Sequence, residues 1–193
     1  MVVWNDRQRA EAGTLHGFPA ERVTVVGAPR FDAFFALQPA MSGVEFHEPL
    51  GLDPAKPTLL YVCSSRLVSE EELPFITRWI RALRLSALNS VRDCNIIVRP
   101  HPDIALLPAG TPMLRHEWPA AAGLRARIAR PFDDGRAIVL MTPHETPLGL
   151  FESITHSVAV VGLNTTAELE AGIVGRPVFT IVADAHDADG QSS

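Results

Sequence analysis

The sequence predicts an α/β chain whose main part is a doubly wound parallel sheet with helices on both faces. Three observations carry that expectation. Short, continuous apolar runs recur along residues 58–182, each the length of a strand buried on both sides. Helix-periodic stretches separate several of them. The runs end in polar loops marked by glycine or proline. The composition agrees with a folded chain: 193 residues are 47% hydrophobic and 20% charged, which excludes disorder over most of the length. No apolar run approaches the roughly 18–20 residues that cross a bilayer. The start, Met-Val-Val-Trp-Asn-Asp-Arg, turns polar at once, so no signal peptide is expected. A net charge of −5 argues against a general nucleic-acid binder. The two cysteines, Cys63 and Cys94, each lie in an apolar run and read as buried reduced thiols, which points to a cytoplasmic location.

The elements follow in order. Trp4 to His16 reads as a helix, Arg22–Val26 as a short β-branched run, and Phe31–Phe35 as a helical turn. From Gln38 to Pro57 the chain carries Pro39, Gly43, Pro49, Gly51, Pro54 and Pro57, a density of breakers expected of a linker or long surface loop. The expected organisation is therefore a first segment over 1–37, a linker over 38–57 and the main domain over 58–193. Thr58–Cys63 is the first buried strand. Ser69 and Glu72 have capping-box spacing for a helix running to about Ser90, with Phe75, Ile76, Trp79, Ile80, Leu83 and Leu88 on its inner face. Asn95–Val98 is the next strand. Residues 103–136 are irregular, with a helix expected around Ala120–Ala129. Ala137–Met141 is a strand, Pro147–Thr155 a short helix, Ser157–Val161 a strand, and Thr166 to about Val174 a helix that Gly175-Arg-Pro177 stops before a last strand, Val178–Val182. Strands alternating with helices in this way make a Rossmann-like domain.

In such a sheet ligands bind beyond the carboxyl ends of the strands. Three polar loops fall there: Ser64-Ser65-Arg66, Arg99-Pro-His101-Pro102 and Gly162-Leu-Asn164-Thr165-Thr166. The last leads into a helix start, where free N–H groups and the helix dipole favour an anion, and Asn164, Thr165 and Thr166 add side-chain donors. One of them could equally serve only as the helix cap. Glu168 and Glu170 lie on different faces of that helix, so one could meet ribose hydroxyls; ordinary dipole partners are the alternative. His101, braced by two prolines, could move a proton or donate to a phosphate, or be purely structural. Arg66 and Arg99 could grip a diphosphate by forked contacts, or lie on the surface. There is no GxGxxG, no GxxxxGK[ST], no GxSxG and no HExxH. Asp184, His186, Asp187 and Asp189 form an oxygen- and nitrogen-rich group near the end of the sequence, read as a solvated tail rather than a metal site.

Together these segments resemble the C-terminal half of a GT-B glycosyltransferase, and more narrowly the bacterial CDP-glycerol glycerophosphotransferases and capsule-polysaccharide transferases. The residues that carry the resemblance are Val3-Trp-Asn-Asp6 with Val25-Val-Gly-Ala-Pro-Arg-Phe-Asp32, Ile97-Val-Arg-Pro-His-Pro102, Val161-Gly-Leu-Asn-Thr-Thr-Ala-Glu-Leu-Glu-Ala171 and Gly175-Arg-Pro-Val178. The resemblance implies that Asn164, Thr165 and Thr166 hold the diphosphate of a CDP- or UDP-type donor, with Ser64, Ser65, Arg66 and Arg99 nearby. It implies further that Glu170 holds the ribose and that His101 is catalytic. It makes 1–37 the tail of an acceptor-binding domain and leaves 58–193 shortened at its end. The implied activity is transfer of glycerophosphate or a sugar from a nucleotide-activated donor to a glycan or polyol hydroxyl in cell-surface polymer synthesis, without a cofactor or metal. Membrane contact would come only through regions outside this sequence. Sugar-nucleotide 2-epimerases share the fold and are the rival reading, as is a non-catalytic nucleotide-binding fragment.

Overall fold

The computed structural model describes residues 1–65, 72–101, 113–117, 125–141 and 147–182. It falls into two compact units, Met1–Leu37 and Gln38–Ser193. The first is a small βαβ unit. Strand β1 (Val2–Val3) and strand β2 (Thr24–Val25) pair in parallel, with helix α1 (Asp6–His16) between them. The Asn5 side chain accepts from Gln8 N–H at 2.9 Å and caps α1. Gly17 ends it at φ 67°, a left-handed conformation in which glycine carries no Cβ penalty. Val3, Ala12 and Val23 form its small core. A one-turn helix, α2 (Asp32–Ala36), closes the unit.

The second unit is built on a seven-stranded sheet. Its strands are β3 (Thr58–Val62), β4 (Asn95–Arg99), β5 (Met113–Glu117), β6 (Arg125–Ala129), β7 (Ala137–Met141), β8 (Ala159–Gly162) and β9 (Val178–Thr180), in the spatial order β5-β6-β7-β4-β3-β8-β9. The five strands from β7 to β9 are parallel, while β6 runs antiparallel to β7 and β5 to β6. Helices α4 (Leu73–Arg84), α6 (Pro147–Thr155) and α7 (Thr166–Ile173) make the crossovers, so the expected doubly wound, Rossmann-like architecture is present. Tyr61, Cys63, Ile96 and Val98 point to one face and pack with Ile76 and Ile80 of α4. The intervening Leu60, Val62 and Ile97 are buried as well, which is why β3 and β4 read as unbroken apolar runs. Both cysteines are buried and unpaired. Among the described residues no helix is long and apolar enough to cross a membrane.

Four expectations change. The stretch 38–57 is not a bare linker: it forms helix α3 (Gly43–His47), capped reciprocally by Ser42 and Glu45, and a 3-10 turn over Glu48–Leu50. Its breakers shape a folded strap whose Phe46, Leu50 and Leu52 are buried. His47 ties the strap to the start of β3. Its Nδ1 lies 2.6 Å from Gly43 O, so that nitrogen carries the proton, and Nε2 accepts from the Thr58 hydroxyl at 2.7 Å. Asn95 then donates to Thr58 Oγ1 at 3.2 Å and to Asp53 O at 2.8 Å. Glu152 on α6 accepts from Ala40 N–H and pairs with His156, whose ring stacks on Phe46.

The helix expected around 120–129 is, over 125–129, strand β6, paired by β5 on one side and β7 on the other; sheet pairing outweighs the alanine content. The helix after β3 ends at Arg84 rather than near Ser90. A separate turn, α5 (Asn89–Arg92), follows. Leu88, expected on the inner face, is therefore exposed. The Ser69 cap lies outside the described residues.

Phe46→Ala is expected to cost about 3–5 kcal/mol of unfolding free energy, as for a fully buried phenylalanine. Urea denaturation measures it, and a loss below about 1 kcal/mol would return 38–57 to the status of a linker.

Candidate functional site

The site is assembled by strand register. On β3, Val62 pairs with Arg99 of β4 on one side and with Gly162 of β8 on the other. The exits of β4, β3 and β8 thus lie on one edge of the sheet, about 10 Å from first to last at ordinary strand spacing. The chain moves from β3 outward to β4 in one direction and from β7 back across to β8 in the other. The reversal falls between β3 and β8, and a reversal of strand order opens a crevice at the carboxyl ends. Ser64 and Ser65 leave β3 at that point, and Leu163 and Asn164 leave β8.

Hydrogen bonds join the three exits. The His101 backbone N–H, beyond β4, donates to the Cys63 thiol. Ser64 N–H donates to Glu72 Oε2 at 3.0 Å, and Asn164 N–H donates to Ser64 Oγ at 3.4 Å. Ser64 and Glu72 are almost fully buried, at 0% and 2% exposure. Burial raises the Glu72 carboxyl to about 7, against the pull of its hydrogen bonds from Ser64 and Cys63. Burial and the nearby Glu72 push the Cys63 thiol well up, so it is an inert thiol rather than a nucleophile.

At the β8 exit, Thr165 is the N-cap of α7 and forms a capping box with Glu168. Thr165 N–H donates to Glu168 Oε2 at 2.8 Å, and Thr180 Oγ1 donates to Glu168 Oε1 at 2.6 Å. Gly162 makes room for this: a Cβ there would lie 3.1 Å from Glu168 Cδ and 3.2 Å from Val62 Cγ2. The helix start is thus partly filled by its own carboxylate, and an anion would be met mainly by the exposed side chains of Asn164 and Thr166.

The predicted residues divide accordingly. Ser64, Ser65, His101, Asn164, Thr165 and Thr166 share the edge, but the Thr165 side chain is committed to capping, the alternative that its sequence left open. Ser65 and His101 are half-buried. Glu170 is buried on α7, whereas Glu168 is half-exposed. Arg99 reaches α6: its Nη1 donates to Gly149 O at 2.9 Å and Ser153 Oγ at 3.1 Å. Desolvation lowers the Arg99 guanidinium to about 10, so it stays charged at neutral pH while turned into the protein. Arg66 and the Asp184–Asp189 group lie outside the described residues. Among the described residues no group of three or more potential metal ligands occurs. Glu72 is the site residue that the sequence did not signal as such; its only cue, the capping spacing with Ser69, pointed elsewhere.

No protein-family model matches the chain, and no curated protein matches it significantly. Among solved structures it is similar to the UDP-GlcNAc 2-epimerase from Methanocaldococcus jannaschii, with a TM-score of 0.55 and 13% identity over 93% of this chain and 45% of that one. The fold is GT-B-like. A looser likeness, TM-score 0.45 and 15% identity over 98% of this chain and 41% of the other, links it to a variant of the wall teichoic acid polymerase TagF. The chain spans less than half the length of either.

Glu72 provides a test by pH. Its carboxyl is raised in the folded state from about 4.5 to about 7, so the folded state binds the proton more readily than the unfolded one. The stabilisation is complete below pH 4.5, is lost as pH rises towards 7, and is flat above. That loss is on the order of 3 kcal/mol. Glu72→Gln is expected to remove this slope in chemical denaturation between pH 5 and 8; a variant profile parallel to the wild type would refute the burial argument.

Proposed function

We propose that the second unit binds the diphosphate of a nucleotide-activated donor in the crevice between the β3 and β8 exits, and that the protein belongs to an enzyme transferring a glycerophosphate or sugar to a hydroxyl acceptor. The observation that carries the reading is the reversal of strand order at that place, with Ser65 on one side, Asn164 and Thr166 on the other, and Ser64 buried behind them. Asn164 and Thr166 would donate to the diphosphate, and the start of α7 would add what positive potential its capping box leaves. Glu170 would hold the ribose from its buried position. His101 would take the proton of the attacking hydroxyl or donate to the leaving phosphate. The nucleotide would be of the CDP or UDP type and the acceptor a glycan or polyol of the cell surface. The transferase reading draws on the Arg-Pro-His-Pro and Gly-Leu-Asn-Thr-Thr segments.

A second reading, epimerisation of a sugar nucleotide, is favoured by the similarity to the UDP-GlcNAc 2-epimerase. Donor incubated alone separates the two: an epimerase rearranges or releases the sugar with no acceptor, and a transferase turns over only when one is supplied. A nucleotide-binding fragment would be stabilised by nucleotide in either case without turnover.

CDP and UDP are expected to raise the melting temperature above that with ADP or GDP; no shift with any of the four contradicts donor binding. Glu170→Ala is expected to weaken nucleotide binding by about 1–3 kcal/mol in calorimetry, the worth of a charge-assisted hydrogen bond. In whichever assay shows turnover, His101→Ala is expected to lower kcat by about 100-fold or more, and a near-normal rate leaves His101 structural.

A further inference from the structure

The nucleotide reading makes no use of Glu72, yet this carboxyl sits directly behind the crevice. It immediately precedes α4 and is 2% exposed. Its Oε2 accepts the Ser64 backbone N–H at 3.0 Å, and the Ser64 hydroxyl also bonds to the carboxyl. Ser64 Oγ in turn accepts the Asn164 backbone N–H at 3.4 Å. Two short links therefore run from the head of α4, through the β3 exit, to the β8 exit, and so join both walls of the crevice from beneath.

The arrangement buries polar atoms behind the crevice. Among the described residues Glu72 Oε1 is buried with no hydrogen-bond partner, and so is the hydroxyl of Tyr61, which lies within electrostatic reach of Glu72. A buried polar oxygen left unsatisfied costs free energy. An apolar side chain at this position would remove the Oε1 cost but leave the buried Ser64 N–H without its acceptor. It would also leave Ser64 free to rotate its hydroxyl away from Asn164.

We propose that Glu72 is a positioning residue for diphosphate binding: by fixing the Ser64 hydroxyl it fixes the Asn164 backbone, and so holds the exposed Asn164 side chain where an anion can meet it. This rests on the nucleotide reading above. Glu72 touches no ligand in this role, and a carboxamide serves as well as a carboxyl, because one oxygen acceptor suffices for the Ser64 amide and hydroxyl.

The test combines UDP and CDP calorimetry with amide hydrogen exchange, on the wild type, Glu72→Ala, Glu72→Gln and Ser64→Ala. The expected result is a loss of affinity of about tenfold or more in Glu72→Ala and Ser64→Ala, the scale of one lost hydrogen bond. Glu72→Gln is expected to bind within about threefold of wild type. Exchange at Asn164 N–H is expected to quicken in the two alanine variants and to stay slow in Glu72→Gln. Rescue by glutamine is the readout that simple loss of packing would not give. If Glu72→Ala fails to fold, Ser64→Ala, which removes the hydroxyl between Glu72 and Asn164 and keeps the Ser64 amide on the carboxyl, decides alongside Glu72→Gln. Wild-type affinity in Ser64→Ala or Glu72→Ala, or a glutamine variant as weak as alanine, overturns the positioning role while leaving nucleotide binding intact. A wild type that binds neither UDP nor CDP overturns the nucleotide reading, and this proposal with it.

Discussion

The pairing of β3 with a parallel strand on each side is the constraint on which the rest of the second unit depends. Val62 stands in register with Arg99 and with Gly162, so three chain segments more than thirty residues apart must leave the sheet side by side. The register is enforced by burial. Leu60, Tyr61 and Val62 of β3 and Ile96, Ile97 and Val98 of β4 are all within 2% of complete burial. At about 1.5–3 kcal/mol for each such side chain, a pairing that brought these residues to the surface would be prohibitive. The sheet thereby fixes the place of the polar loops before any polar contact forms.

The two ends of this sheet solve different problems. At the amino ends of β3 and β4 the strap holds Thr58 and Asn95: His47 meets the Thr58 hydroxyl, and the Asp53 and Lys56 carbonyls accept from Asn95 Nδ2. Arg130 reaches Leu50 O from the far side, which clamps the strap at a second point. At the carboxyl ends the polar groups are tied to one another through Glu72 and Ser64, and the outermost side chains, Asn164 and Thr166, remain exposed. One end is closed by the strap of the same unit, and the other leaves Asn164 and Thr166 at the surface. That asymmetry is the physical content of placing ligands at the carboxyl edge.

Much of this was legible in the sequence, for a definite reason. Strands buried on both faces are read as uninterrupted apolar runs, and α6 spans the expected Pro147–Thr155. The glycine and small polar residues after β8 marked the crevice. What stayed hidden depends on contacts between distant segments. Nothing near Arg99 in the chain reveals that α6 offers it a carbonyl and a hydroxyl. Phe46, Leu50 and Leu52 bury a strap whose prolines and glycines read as a linker. Glu72 looked like the end of a capping box, because its partner Ser64 lies eight residues back, across the β3 exit. The strand over 125–129 depends likewise on distant pairing, with β5 on one side and β7 on the other, which overrides the helix preference of its alanines.

The central claim is that the β3 and β8 exits form one anion-binding crevice. It is tested most directly by titrating isotope-labelled protein with UDP and following backbone amide shifts. The account predicts the largest saturable shifts at Ser64, Ser65, Leu163, Asn164 and Thr166, with a smaller one at His101. Shifts concentrated at the opposite edge, around Thr58, Asn95 and Ser157, would contradict it.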